Sequence, residues 1–118
     1  MDQDALPLRV RQEGDVFHIE FCDPQIERVI LPQIEHQISA LIGQSDHPKV
    51  LIDFNQVEYL PTAGLGTLVA IYKWVCDRGG QLRLASLEGM ILHSLRITRL
   101  DQILNIHDDV ESARASFD

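Results

Sequence analysis

Val50-Leu51-Ile52-Asp53-Phe54, then Asn55-Gln56-Val57-Glu58-Tyr59-Leu60-Pro61, then Thr62-Ala63-Gly64-Leu65-Gly66, is the stretch whose reading decides the fold. The first five residues are too apolar to alternate, so they predict a central strand covered on at least one face. After Thr62 the apolar residues recur at helical spacing: Leu65, Leu68, Val69, Ile71, Tyr72, Val75 and Cys76. That pattern predicts a helix over residues 63–76, apolar almost all round and ended by Gly79-Gly80. Thr62 therefore stands where a loop becomes a helix. A helix start has unpaired N–H groups and partial positive charge. The hydroxyl there is suited either to cap the helix or to carry a phosphate.

Working outward, the N-terminal side predicts an edge strand from Leu6 to Arg11, a turn at Gly14-Asp15 and a strand from Val16 to Phe21. In the second strand Phe17, Ile19 and Phe21 alternate with His18 and Glu20, the mark of a half-buried strand paired as a hairpin with the first. Asp23-Pro24 reads as a helix start. Ile26, Ile30, Ile34, Ile38, Leu41 and Ile42 follow at helical spacing, interrupted by Pro32, so a loose turn should precede a firm helix that runs to Leu41. Gly43 is the expected C-cap.

On the C-terminal side Leu82 and Leu84 alternate with Gln81 and Arg83, another strand. Ser86 is the expected cap of a helix from Leu87 to about Leu95. Residues 103–106 predict a short strand, and Asp108 is the expected cap of a last helix ending near Phe117. The order is β-β-α-β-α-β-α-β-α. It implies an α/β fold: a mixed sheet of about five strands, an opening β-hairpin, and four helices mainly on one face.

The 118 residues suffice for one domain, expected to span residues 1–118. Acids outnumber bases 18 to 10, a formal net charge of −8. Nucleic acid and anionic membrane are thereby disfavoured as partners, because phosphate-rich surfaces require clustered Lys and Arg. No apolar run is long enough to span a bilayer, so no membrane insertion is expected. No basic segment followed by an apolar run opens the chain, so a secretory leader is not expected. Two widely spaced cysteines fit a reduced, cytoplasmic setting better than a disulfide framework.

Metal, nucleophile and nucleotide chemistry each lack their spacing. His18, His36, His47, His93 and His107 fall in different segments, with no His or Cys pair at ligand spacing, so neither a metal nor another cofactor is expected. Cys76 sits in the apolar helix as an expected buried, structural thiol. Cys22 stands beside Asp23, whose negative charge opposes thiolate formation. Gly64-Leu65-Gly66 lacks both the Gly-Lys-Ser/Thr of a phosphate loop and the third glycine of a dinucleotide fingerprint. The two glycines read instead as positions of tight helix packing. No acid, base and nucleophile assemble, so an enzyme is not expected. For Thr62 the ordinary cap and the carried phosphate both stand, the cap being the more economical.

The set Val50 to Phe54, Val57, Thr62-Ala63-Gly64-Leu65-Gly66, Leu68, Gly79-Gly80 and Leu82 resembles the STAS domain of bacterial anti-sigma factor antagonists. The run Leu95-Arg96-Ile97-Thr98-Arg99-Leu100-Asp101, Ile106 and the pair Asp108-Asp109 are similar to the family's C-terminal half. The resemblance covers about residues 10–117. It implies that Thr62 is phosphorylated by a partner Ser/Thr kinase that doubles as the anti-sigma factor, with a phosphatase as a further partner. It also implies that the unphosphorylated form binds that kinase.

The implied partner-binding residues are Tyr59, Leu60, Pro61, Thr62, Ala63, Gly64 and Lys73, with Asp53 and Gly66 in support. The expected state is a monomer or weak homodimer. Two positions depart from the family pattern. Pro61 stands where an Asp usually precedes the phosphorylated residue, and Ala63 where a second hydroxyl usually follows. They keep a second reading open, an unswitched STAS interaction module in a signalling scaffold or a transporter accessory subunit.

Overall fold

The computed structural model describes residues 6–117; residues 1–5 and 118 of the expected domain lie outside the described residues. The elements run β1 (Leu8–Glu13), β2 (Val16–Phe21), α1 (Leu31–Ile42), β3 (Lys49–Asp53), α2 (Thr62–Asp77), β4 (Gln81–Ala85), α3 (Gly89–Ile97), β5 (Asn105–His107) and α4 (Val110–Ala115). This is the predicted alternation. The five strands lie side by side in chain order, β1 antiparallel to β2 and every other neighbour parallel. Gly14 turns the opening hairpin at φ +64°.

Three helices cover one face. Ile34, Ile38 and Ile42 of α1, Leu68, Ile71 and Val75 of α2, and Ile91 and Leu95 of α3 bury against Ile19, Val50, Ile52, Leu82 and Leu84 of the sheet. The short α4 takes the opposite face, where Ala113 packs on Val16, Leu51 and Ala85. Consequently β2 is not half-buried. His18, expected on an open face, is only 4% exposed beneath α4. Its Nδ1 accepts from the guanidiniums of Arg114 at 2.9 Å and Arg11 at 3.5 Å, which places the ring proton on Nε2. That Nε2 lies 3.9 Å from Asp53 Oδ2 and, among the described residues, makes no hydrogen bond.

Several element ends differ from expectation. Asp23-Pro24 starts no helix: Asp23 Oδ1 accepts from the Gln25 N–H at 3.0 Å and closes a local turn. The Pro24 carbonyl then accepts from the Glu58 and Tyr59 N–H groups at 2.7 and 2.9 Å. The helical run begins as a 3₁₀ turn at Arg28–Ile30, and Pro32 falls in the first turn of α1, where its missing N–H costs nothing. Ser86 caps no helix. It takes a left-handed φ of 65°, its N–H donates to the His107 carbonyl, and α3 starts three residues on, at Gly89. The strand expected at 103–106 forms at Asn105–His107. The cap of α4 is Asp109 rather than Asp108, because Asp109 Oδ1 reaches the Ser112 N–H at 2.7 Å.

Candidate functional site

The site is built at the carboxyl ends of β3 and β4, where an α/β sheet presents its loops. Asp53 closes β3 as a buried residue, and its Oδ1 accepts from the Asn55 N–H at 2.9 Å, turning the chain out of the sheet. Residues 55–61 then run beside the segment after β2. Ile26 N–H donates to the Tyr59 carbonyl at 3.1 Å, and Gln25 and Tyr59 form an isolated parallel bridge. The loop into α2 is thus pinned at both ends. Within α2, Thr67 Oγ1 donates to Glu35 of α1 at 2.5 Å and fixes the helix laterally.

Thr62 is the first residue of α2, and the N-cap is Pro61 (φ −66°, ψ 158°), which offers no side-chain cap. The cap reading of Thr62 is therefore overturned. A side chain in the first helical turn points away from the N–H groups that a capping residue one position earlier would reach. Thr62 is exposed, and among the described residues its hydroxyl takes no hydrogen bond. The fold makes no use of it.

The two glycines behave differently. A Cβ on buried Gly64 would lie 2.6 Å from both Cγ and Cδ1 of Leu60, so the loop side chain folds down onto the helix there. A Cβ on Gly66 would meet nothing within 4 Å, and Gly66 is exposed. The tight-packing reading holds at Gly64, against the loop rather than the sheet, and fails at Gly66.

Thr62 lies on the rim of two concavities. One, a cleft of about 260 Å³, is closed by Tyr59, Leu60 and Leu65 on one side and by Met90, Ile91 and Ser94 of α3 on the other, with Glu58 at its edge. The second, broader and more open at about 640 Å³, joins Thr62 to Glu27, Arg28, Tyr59, Pro61 and Ala63. Tyr59 lines both and stands 55% exposed. Met90 and Val29, at 71% and 77%, add exposed apolar surface beside it.

The structure therefore brings together Tyr59, Leu60, Pro61, Thr62, Ala63 and, beneath them, Gly64. Lys73 is not in this group: eleven residues along α2 it lies about 16 Å from Thr62. Asp53 shapes the loop from inside and lines neither concavity. Met90, Ile91, Ser94 and Arg28 were not read from sequence. Their proximity depends on β4 pairing with β3 and on the Pro24–Tyr59 strap, neither of which leaves a local pattern.

Cys76 is exposed, not buried, because it falls on the outward side of α2. Its hydrogen bond to Tyr72 pushes the Tyr72 hydroxyl above its ordinary value, with their charge interaction adding to that. Among the described residues no group of three or more His, Cys, Asp and Glu could hold a metal ion, and no helix is long and apolar enough to cross a membrane.

Comparison with known proteins is consistent across levels. The sequence profile of the STAS domain matches residues 3–113. A Thermotoga neapolitana protein, provisionally named an anti-sigma factor antagonist, is 35% identical over 65 residues. That match takes in 55% of this chain and 58% of the relative's length. Among solved structures, an anti-sigma-factor antagonist (STAS) domain protein from Planctomyces limnophilus superposes with a TM-score of 0.82 at 24% identity, over 90% of this chain and 93% of that one. The Bacillus anti-sigma factor antagonist SpoIIAA superposes in its unphosphorylated form (TM-score 0.70) and its phosphorylated form (0.71), each at 13% identity over 92% of this chain. The superpositions cover 94% and 97% of the SpoIIAA chains. At those identities the likeness is one of fold.

Proposed function

This chain belongs to the STAS domain family, and on that premise we propose that it is an anti-sigma factor antagonist whose docking surface is switched by phosphorylation of Thr62. The proposed partner is a Ser/Thr kinase that is also the anti-sigma factor. A phosphatase would reset the switch, and the setting is the cytoplasm. The observation that carries the reading is the Thr62 hydroxyl: exposed, unused by the fold, and shared by two concavities flanked by exposed Tyr59 and Met90.

In this account the unmodified surface docks the kinase through the apolar side chains around Thr62. The kinase's catalytic base takes the hydroxyl proton as Oγ1 bonds to the γ-phosphorus of ATP and the bond to ADP breaks. The product carries about −1.5 to −2 additional charge in the middle of the interface. Glu27 and Glu58, one at each concavity, add like charge to a surface that must be desolvated on docking. The partner is repelled, while the fold tolerates the group because it stands at the positive end of α2. The chain acts by binding and supplies no catalytic group. Incubation with a cognate Ser/Thr kinase and ATP should add one phosphate to the wild type and none to Thr62→Ala; labelling at another residue would contradict the assignment.

A second reading has its own observation. Pro61 is buried as the N-cap, so the residue that directly precedes Thr62 in the chain supplies no carboxylate. An unswitched STAS module would bind its partner regardless of charge at this position, and Thr62→Glu would leave binding unchanged.

A further inference from the structure

We infer that Arg28 is the counter-ion of the phosphate on Thr62. The inference rests on the proposed phosphorylation and adds the group that receives it. Arg28 belongs to the 3₁₀ turn that leads into α1, far from Thr62 in sequence. The Pro24–Glu58 and Ile26–Tyr59 hydrogen bonds bring that segment alongside the loop before α2, and Arg28 and Thr62 line the same open concavity. Five other arginines are already engaged: Arg9 with Glu20, Arg11 with Glu13, Arg114 with Glu13 and His18, Arg83 with Ser116, Arg78 with the Ser45 carbonyl. Arg96 and Arg99 are exposed but line neither concavity at Thr62. Among the described residues the Arg28 guanidinium has neither an ion pair nor a side-chain hydrogen bond, and it is exposed.

The charges that face position 62 are Glu27 and Arg28 across the open concavity and Glu58 across the narrow cleft. A dianion there meets two carboxylates and one guanidinium. Arg28 is the cation in that lining, and its planar fork suits two phosphate oxygens at once. Pairing would draw the phosphate toward the α1 side and leave the Met90 side of Thr62 open. A partner that needs both concavities would lose the open one.

The test is a phosphorus NMR titration of the full chain with phosphothreonine installed at position 62 during translation, which requires no kinase. The second ionisation of such a phosphate ordinarily falls near pH 6. Arg28→Gln should raise it by about half a pH unit, the scale of one exposed charge pair, and Arg28→Lys by less. The difference should collapse in about 1 M salt. Glu27→Gln should move it down. Identical titration of the parent and Arg28→Gln would overturn the inference, as would a shift only in Glu27→Gln or one that ignores salt. Failure of a kinase to label Thr62 would instead count against the proposed function and leave the titration result intact.

Discussion

Replacing Gly64 or Gly66 by alanine should move stability in opposite directions. At Gly64 the new methyl collides with Leu60 at 2.6 Å, and overpacking of that kind costs about 1–3 kcal/mol, partly offset by alanine's better helix propensity. At Gly66 nothing stands within 4 Å, so the propensity gain of about 1 kcal/mol should appear unopposed. Urea denaturation of the two variants reads the difference directly. The same residue scale shows what sequence makes legible. Thr62-Ala63-Gly64-Leu65-Gly66 marks the strand-to-helix junction, but the roles within it do not follow from residue type. One position of phase separates a capping threonine from one in the first turn, and the buried Pro61 takes the cap. Both glycines look alike in the chain, yet only Gly64 lies under a neighbouring side chain.

Elements were legible where burial is periodic and blurred where their ends depend on tertiary contacts. The isoleucines of α1 and the apolar run of α2 recur over several turns, so their existence follows from period alone. Their ends are set by single hydrogen bonds. Asp23 closes a turn instead of a helix, and Ser86 is taken into a left-handed connection by the His107 carbonyl. Of the adjacent acids Asp108 and Asp109, only the second stands three residues before Ser112. The Ser112 N–H, and then the Ser112 side chain, hold the Asp109 carboxyl below its ordinary value of 3.8. A carboxylate lowered on folding stabilises the fold above its unfolded value, and that contribution is lost as pH falls through the folded value. Asp109→Ala should therefore lower the melting temperature at pH 7. The gap to wild type should close as pH falls below about 3.8. A gap independent of pH would show that the cap is not the cause.

At the scale of the whole molecule, strand–helix alternation led to the sheet, and the buried second face escaped it. His18 alternates as a solvent-facing residue would, because the periodicity of β2 carries no sign of a six-residue helix arriving from the far end of the chain. The proposed docking surface escaped in part for the same reason. Its α3 wall and its Arg28 side are assembled by sheet order and by the Pro24–Tyr59 strap, so only the loop between them was visible in sequence.

That surface makes a global prediction for the partner. Tyr59→Ala and Met90→Ala should each weaken binding of the proposed kinase partner by about 30-fold or more, as truncation of a central interface side chain does. Ile97→Ala, also exposed but lining neither concavity, should change it little, with all three variants folding normally by circular dichroism. The central claim is that charge on Thr62 governs docking. Its most direct test is calorimetric titration of the kinase into the unmodified chain and into the chain bearing phosphothreonine at position 62. The account predicts tight binding to the first and at least about tenfold weaker binding to the second, roughly 1.4 kcal/mol; equal affinity for both forms would contradict it.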